Sequence, residues 1–168
     1  MAIVISVLAL LATFYQLYLQ RVHNEKSLKP LGQVDLRDRN NQVSVSIANN
    51  GMGPMIIDRI TFFKEEHCYT NLEDCLSLAP RSYRRIPINE LAKKVVLPGM
   101  LFEVFAAELA PNEEQIEMEN VRQQLSFITL KVEYRDIYEN KFTLERSLEW
   151  FSRHMTHEKS STFRTDIH

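Results

Sequence analysis

Phe127-Ile128-Thr129-Leu130-Lys131-Val132-Glu133-Tyr134 is the stretch whose reading decides the fold class. Ile128, Leu130, Val132 and Tyr134 alternate with Phe127, Thr129, Lys131 and Glu133. A period of two places one set on each face of a strand. Residues 136–140 supply the turn, and Phe142, Leu144 and Leu148 return as the second strand of a hairpin. Upstream the same period recurs. Val34 and Leu36 alternate with polar residues, and Val43, Val45 and Ile47 with Ser44, Ser46 and Ala48. Asn40-Asn41 lies between them as a turn that tolerates positive φ.

Asn49-Asn50-Gly51-Met52-Gly53-Pro54 holds two of the four glycines and is expected to make a tight turn with positive φ. A phosphate-binding loop would need a helix after it. Met55-Ile56-Ile57-Asp58-Arg59-Ile60-Thr61-Phe62-Phe63 instead has the β-branched and aromatic make-up of a strand. Pro98-Gly99 leads into another strand over residues 100–107. Two helical insertions are expected. One covers residues 70–79, capped by Thr70 or Asn71 and stopped by Pro80. The other starts at Asn112, with Gln115 completing a capping box, and runs to Gln124. Six or seven short strands with two helices predict a mainly β fold, an antiparallel immunoglobulin-like β-sandwich over residues 32–151. The polar residues 152–168 are expected to be a disordered tail.

The N-terminus obeys a different pattern. Of residues 2–19, fifteen of eighteen are apolar and none is charged. As a helix they extend about 27 Å, close to the roughly 30 Å of a bilayer core. A signal peptide would want a basic start and a small-residue cleavage site. Here nothing basic precedes the run, and Phe14, Tyr15 and Tyr18 near its end suit a membrane interface. The reading is therefore a transmembrane helix over residues 1–20 and a basic juxtamembrane linker over 21–31. Arg21, Lys26 and Lys29 face the single acid Glu25 in that linker. The positive-inside rule then predicts a single-pass inner-membrane protein with a cytoplasmic C-terminal domain, in which Cys68 and Cys75 are free thiols.

Ala2, Ser6, Ala9, Thr13, Gln16 and Gln20 fall within an arc of about 80° on the helical wheel. Such a small and hydrogen-bonding stripe lets transmembrane helices pack closely, which makes a homo-oligomer through this helix one expectation. The competing reading is that short runs produce such stripes by chance.

Composition narrows the function classes. The chain has 168 residues, with 20 Lys+Arg against 22 Asp+Glu and a net charge of −2. That balance gives no case for generic nucleic-acid binding. His67, Cys68 and Cys75 lack the paired spacing of a zinc site, and His154 and His157 lie in the polar tail. Glu113, Glu114, Glu117 and Glu119 line a helix and read as a solvated face. No enzyme, catalytic residue, metal, cofactor or small-molecule substrate is expected. The best binding candidate is the basic loop with Arg81, Tyr83, Arg84 and Arg85, whose guanidinium groups and ring could meet phosphates and bases or lipid head groups. Solvated arginines balancing nearby acids are the plainer alternative.

Three stretches carry a resemblance: residues 15–30, Ala48-Asn49-Asn50-Gly51-Met52-Gly53-Pro54-Met55-Ile56-Ile57, and Tyr134-Arg135-Asp136-Ile137-Tyr138-Glu139-Asn140-Lys141-Phe142. Together they resemble a group of small bacterial proteins with one transmembrane helix and a cytoplasmic immunoglobulin-like sandwich. The chain departs from the group at Met55, where Ala is usual, and at Glu139, where Gly is common. Some of these look-alikes sit beside antiphage systems, including retrons. The resemblance thus implies a membrane effector that partners a protein or ribonucleoprotein such as a reverse transcriptase complex. The alternative is a passive, membrane-tethered binding module.

Overall fold

In the computed structural model, the described residues are 1–39, 42–78, 84–85, 93–108 and 115–154. The chain begins with one long helix, α1 (Ala2–Ser27), none of whose residues is buried. It continues past Gln20 through most of the expected linker, because no helix breaker occurs before Pro30. An Arg21–Glu25 pair one turn apart, at 3.3 Å, supports that extension.

Strands β1 (Gly32–Arg39) and β2 (Gln42–Asn49) pair antiparallel with Arg39 opposite Gln42. The expected turn residues Asn40 and Asn41 lie outside the described residues. Next come β3 (Met55–Lys64) and the short β4 (His67–Tyr69), then a 3-10 turn over Leu72–Cys75. The remaining strands are β5 (Arg84–Arg85), β6 (Lys94–Val96), β7 (Leu101–Glu108), β8 (Ile128–Arg135) and β9 (Lys141–Ser147). Helix α2 (Gln115–Ser126) precedes β8, and a 3-10 helix over Glu149–His154 follows β9.

One sheet runs β1-β2-β7-β5 and the other β4-β3-β8-β9, with β6 on β3; every pairing is antiparallel. Val34, Val45, Ile47 and Phe105 of the first sheet share one core with Ile57, Ile60, Leu130 and Val132 of the second. The mainly β, antiparallel architecture expected from alternation is therefore present. Strand β8 follows it without exception, each apolar residue buried and each polar one half-buried.

Several local expectations need correction. Among the described residues of the insertion expected at 70–79, which end at 78, there is one 3-10 turn, and the Asn71 side chain does not cap it. Its amide instead donates to Asp74 Oδ2 at 3.3 Å. Strand β4 was missed because its two-residue turn with β3 is Glu65-Glu66, not a Gly or Asn pair, and Glu65 takes φ +56°. The basic loop is not all loop, since Arg84–Arg85 pairs with Phe105 and Ala106, and strand β6 starts at Lys94. The expected tail begins too early. The turn Glu149–His154 returns to the core and buries Phe151 completely. Helix α2 ends at Ser126 rather than Gln124, burying Met118, Val121 and Leu125 at helical spacing; its expected cap Asn112 lies outside the described residues.

Candidate functional site

Helix α1 ends at a junction built around one buried side chain. Asn49, last in β2 and fully buried, fills every position of its amide. Its Nδ2 donates to the carbonyls of Gly53 at 2.8 Å and Val96 at 2.9 Å. Its Oδ1 accepts from the backbone N–H of Gly51 at 3.1 Å and of Leu31 at 3.3 Å. Its own backbone is bonded too, the N–H to Met100 O and the carbonyl to Gly99 N–H. Asn49 thus ties the segment leaving α1 to the loop after β2 and to the turn between β6 and β7.

The loop after β2 is the tight connection expected, but for another reason. Neither Gly51 nor Gly53 has positive φ; among the described glycines only Gly99 does, at +72°. A Cβ on Gly53 would overlap the carbonyl oxygen of Leu28, and one on Gly51 would overlap Lys29 O and Leu31 N. These glycines admit the backbone that leaves the helix. Around them Pro30 is buried, Asn50 N–H donates to Leu31 O at 2.8 Å, and Lys29 Nζ lies 4.9 Å from the centre of the Phe142 ring. Phe142 in turn stacks on Tyr134, whose hydroxyl accepts from Gly32 N–H at 3.4 Å.

The connection between β8 and β9 closes at the same end. Buried Asp136 accepts from the N–H of Tyr138 and Asn140 and from the Asn140 side chain, at 2.8–2.9 Å. Glu139 adopts φ +67°, a conformation that glycine takes without steric cost. A cleft of about 440 Å³ beside this turn is lined by Asp58, Lys93, Arg135, Glu139, Lys141 and Phe142 among others. Most of its charges pair, Arg135 with Asp58 and Glu139 and Lys93 with Asp58, while Lys141 is exposed.

Asp38, near the opposite end of β1, holds a second cluster. Arg122 of α2 grips both its oxygens, at 2.9 and 3.1 Å, and Arg153 reaches Oδ2 at 3.0 Å. Glu119 accepts from Arg122 at 3.1 Å, so it braces the fold instead of standing free in solvent. Hydrogen bonding to Asp38 pushes the Arg122 pKa further up, with burial opposing it. Glu113 and Glu114 lie outside the described residues.

The six stripe residues Ala2, Ser6, Ala9, Thr13, Gln16 and Gln20 are all exposed and do share one face of α1. Two of the hydroxyls are occupied within the helix, Ser6 Oγ donating to Ala2 O at 3.0 Å and Thr13 Oγ1 to Ala9 O at 2.9 Å. Among the described residues, Gln16 and Gln20 have no such partner. Of the basic loop, Arg81 and Tyr83 lie outside the described residues. Arg84 and Arg85 place their backbone beside β7. Among the described residues no three His, Cys, Asp or Glu side chains gather as a metal site. Cys68 is exposed and Cys75 buried. Burial pushes the Cys75 thiol up to about 11, with Lys64 pulling the other way.

Fold and junction together define a class: an antiparallel two-sheet domain carrying, near its N-terminus, one exposed apolar helix long enough to cross a membrane. No protein-family model matches the chain, and no curated protein matches it. Among solved structures it is similar to the archaellum periplasmic stator protein FlaG from Sulfolobus acidocaldarius. The identity is 8% and the TM-score 0.27, over 69% of this chain and 100% of that one. So distant a likeness bears on neither partner nor activity.

Proposed function

We propose that this chain is a single-pass membrane protein, with α1 retained as the span. The sandwich would then be a non-enzymatic binding module held at the cytoplasmic face of the inner membrane. The observation that carries this reading is an apolar helix unburied along its whole length, ending in a fully bonded junction. A signal sequence has no need of such a junction, because cleavage separates it from the domain. The orientation rests on Arg21, Lys26 and Lys29 following the span. The immunoglobulin-like label rests on strand order. Read as A to G, the sheets β1-β2-β7-β5 and β4-β3-β8-β9 correspond to A-B-E-D and to C-F-G extended by one strand.

Cys68 supplies the test. A membrane-impermeant maleimide should leave it unlabelled in intact spheroplasts and label it after permeabilisation. Labelling of intact spheroplasts would reverse the orientation, and recovery of the protein in the soluble fraction would remove the span.

A second reading is the membrane effector, in which α1 helices assemble through the stripe and breach the bilayer. Gln16 and Gln20 favour it, as side chains on the stripe with donors and acceptors free. Ser6 and Thr13 add less drive, being satisfied already. A role in antiphage defence with a reverse transcriptase complex rests on the resemblance alone. Induced expression should then depolarise the membrane, and Gln16→Leu with Thr13→Val should shorten a crosslinking ladder. Stable potential and growth, with or without phage, leave the tethered module.

A further inference from the structure

The end of the sandwich from which α1 leaves is apolar at its loop tips. Met52 is 74% exposed, Leu97 57%, Met100 57% and Ile137 47%. They come from three loops, after β2, between β6 and β7, and between β8 and β9, and Leu31 beside them is 59% exposed. Register places all of them at one end. Gly32 opposes Asn49, Met55 opposes Val96, and Ile56 opposes Arg135. The tips are held in shape. Pro98-Gly99 forms a turn closed by Met100 N–H to Leu97 O at 3.0 Å, Asn49 bonds both sides of Met52, and Asp136 organises the turn carrying Ile137. Ordered, exposed methionine and leucine tips clustered together mark a contact surface.

We infer that this end lies on the lipid surface, with Met52, Leu97, Met100 and Ile137 set among the head groups of the leaflet through which α1 passes. The inference rests on α1 being a retained span, and continuity with that span selects lipid over a protein partner. From Gln20, the end of the span, the eight residues on to Leu28 rise about 12 Å. The head-group layer is roughly 5–8 Å deep on each side, and a helix tilt of about 20° lowers one rim of the domain into it. Lys29 and Lys141 give this end positive charge for anionic head groups, while the exposed acid Glu139 is paired with Arg135.

The test uses the full chain with Cys68→Ser, reconstituted into phosphatidylethanolamine–phosphatidylglycerol vesicles. Single cysteines at Met52, Met100 or Ile137 carry an environment-sensitive fluorophore, with Leu11→Cys marking the span and Glu66→Cys the far end. Emission from the three tips should shift to the blue and fall roughly twofold with lipid brominated near the head group, the depth of interfacial side chains. The Leu11 probe should be quenched by deeply brominated lipid, and the Glu66 probe by neither. Tips as wet as Glu66, with Leu11 quenched, overturn the inference and leave the span intact. A blue shift without lipid quenching overturns it in favour of protein contact. An unquenched Leu11 refutes the span itself.

Discussion

The two ends of the sandwich are closed by different chemistry. Where α1 leaves, a neutral amide, Asn49, satisfies four backbone groups, and the buried carboxylate at that end, Asp136, is held by neutral N–H donors. At the other end, Asp38 joins β1 to α2 and to the C-terminal 3-10 helix through two arginines, its side chain only 4% exposed. An amide has no charge to desolvate, whereas a carboxylate under cover needs compensation, which comes from neutral N–H donors at Asp136 and from guanidinium groups at Asp38. Exposed tips follow the same division: Met52, Leu97 and Met100 at the first end, Glu65 and Glu66 at the second.

The strongest way to break this comparison is Asn49→Ala. It leaves two buried carbonyls and two part-buried N–H groups without their partner, and should cost about 3 kcal/mol in urea unfolding of the solubilised chain. The loss should be the same at low and high salt. A loss below about 0.5 kcal/mol, the level of an ordinary surface change, would remove Asn49 as the fastening of the junction.

Asp38→Ala should cost less, about 2 kcal/mol, because Arg122 and Arg153 remain part-exposed and water can take up their donors. Here salt should matter: rising ionic strength should narrow the gap to the parent chain. Equal salt response in the two variants would erase the distinction between the ends.

The smallest effect concerns the thiols. Near pH 8 Cys68 should react with a maleimide in the folded chain, and Cys75 only after unfolding. The Cys75 thiol titrates at about 11 when folded, against 9.0 as the ordinary value. Above pH 9 the unfolded chain therefore binds fewer protons, and stability should fall as pH rises towards 11. Cys75→Ser should flatten that decline; an unchanged slope would assign it to other groups.

How much of this was legible in advance depended on distance along the chain. The period of two in β8 and the eighteen residues without a charge are local signals, and both were read correctly as strand and as apolar helix. The Glu65-Glu66 turn was not, since charged residues carry no turn signal and the bend shows only in the pairing of β4 with β3. Phe151 was assigned to the edge of the domain, though it closes the core under α2. The glycines at 51 and 53 were noticed, yet their reason lay elsewhere, in the carbonyls of Leu28 and Lys29.

The sequence by itself determined that one segment is an uncharged, apolar helix and that most of the rest forms antiparallel strands, because hydropathy and alternation are properties of neighbouring residues. Only the tertiary structure decided that Asn49 is the fastening between the two. Its partners Leu31 and Val96 stand 18 and 47 residues away, and a hydrogen-bonded closure at that range exists only once both sheets have formed.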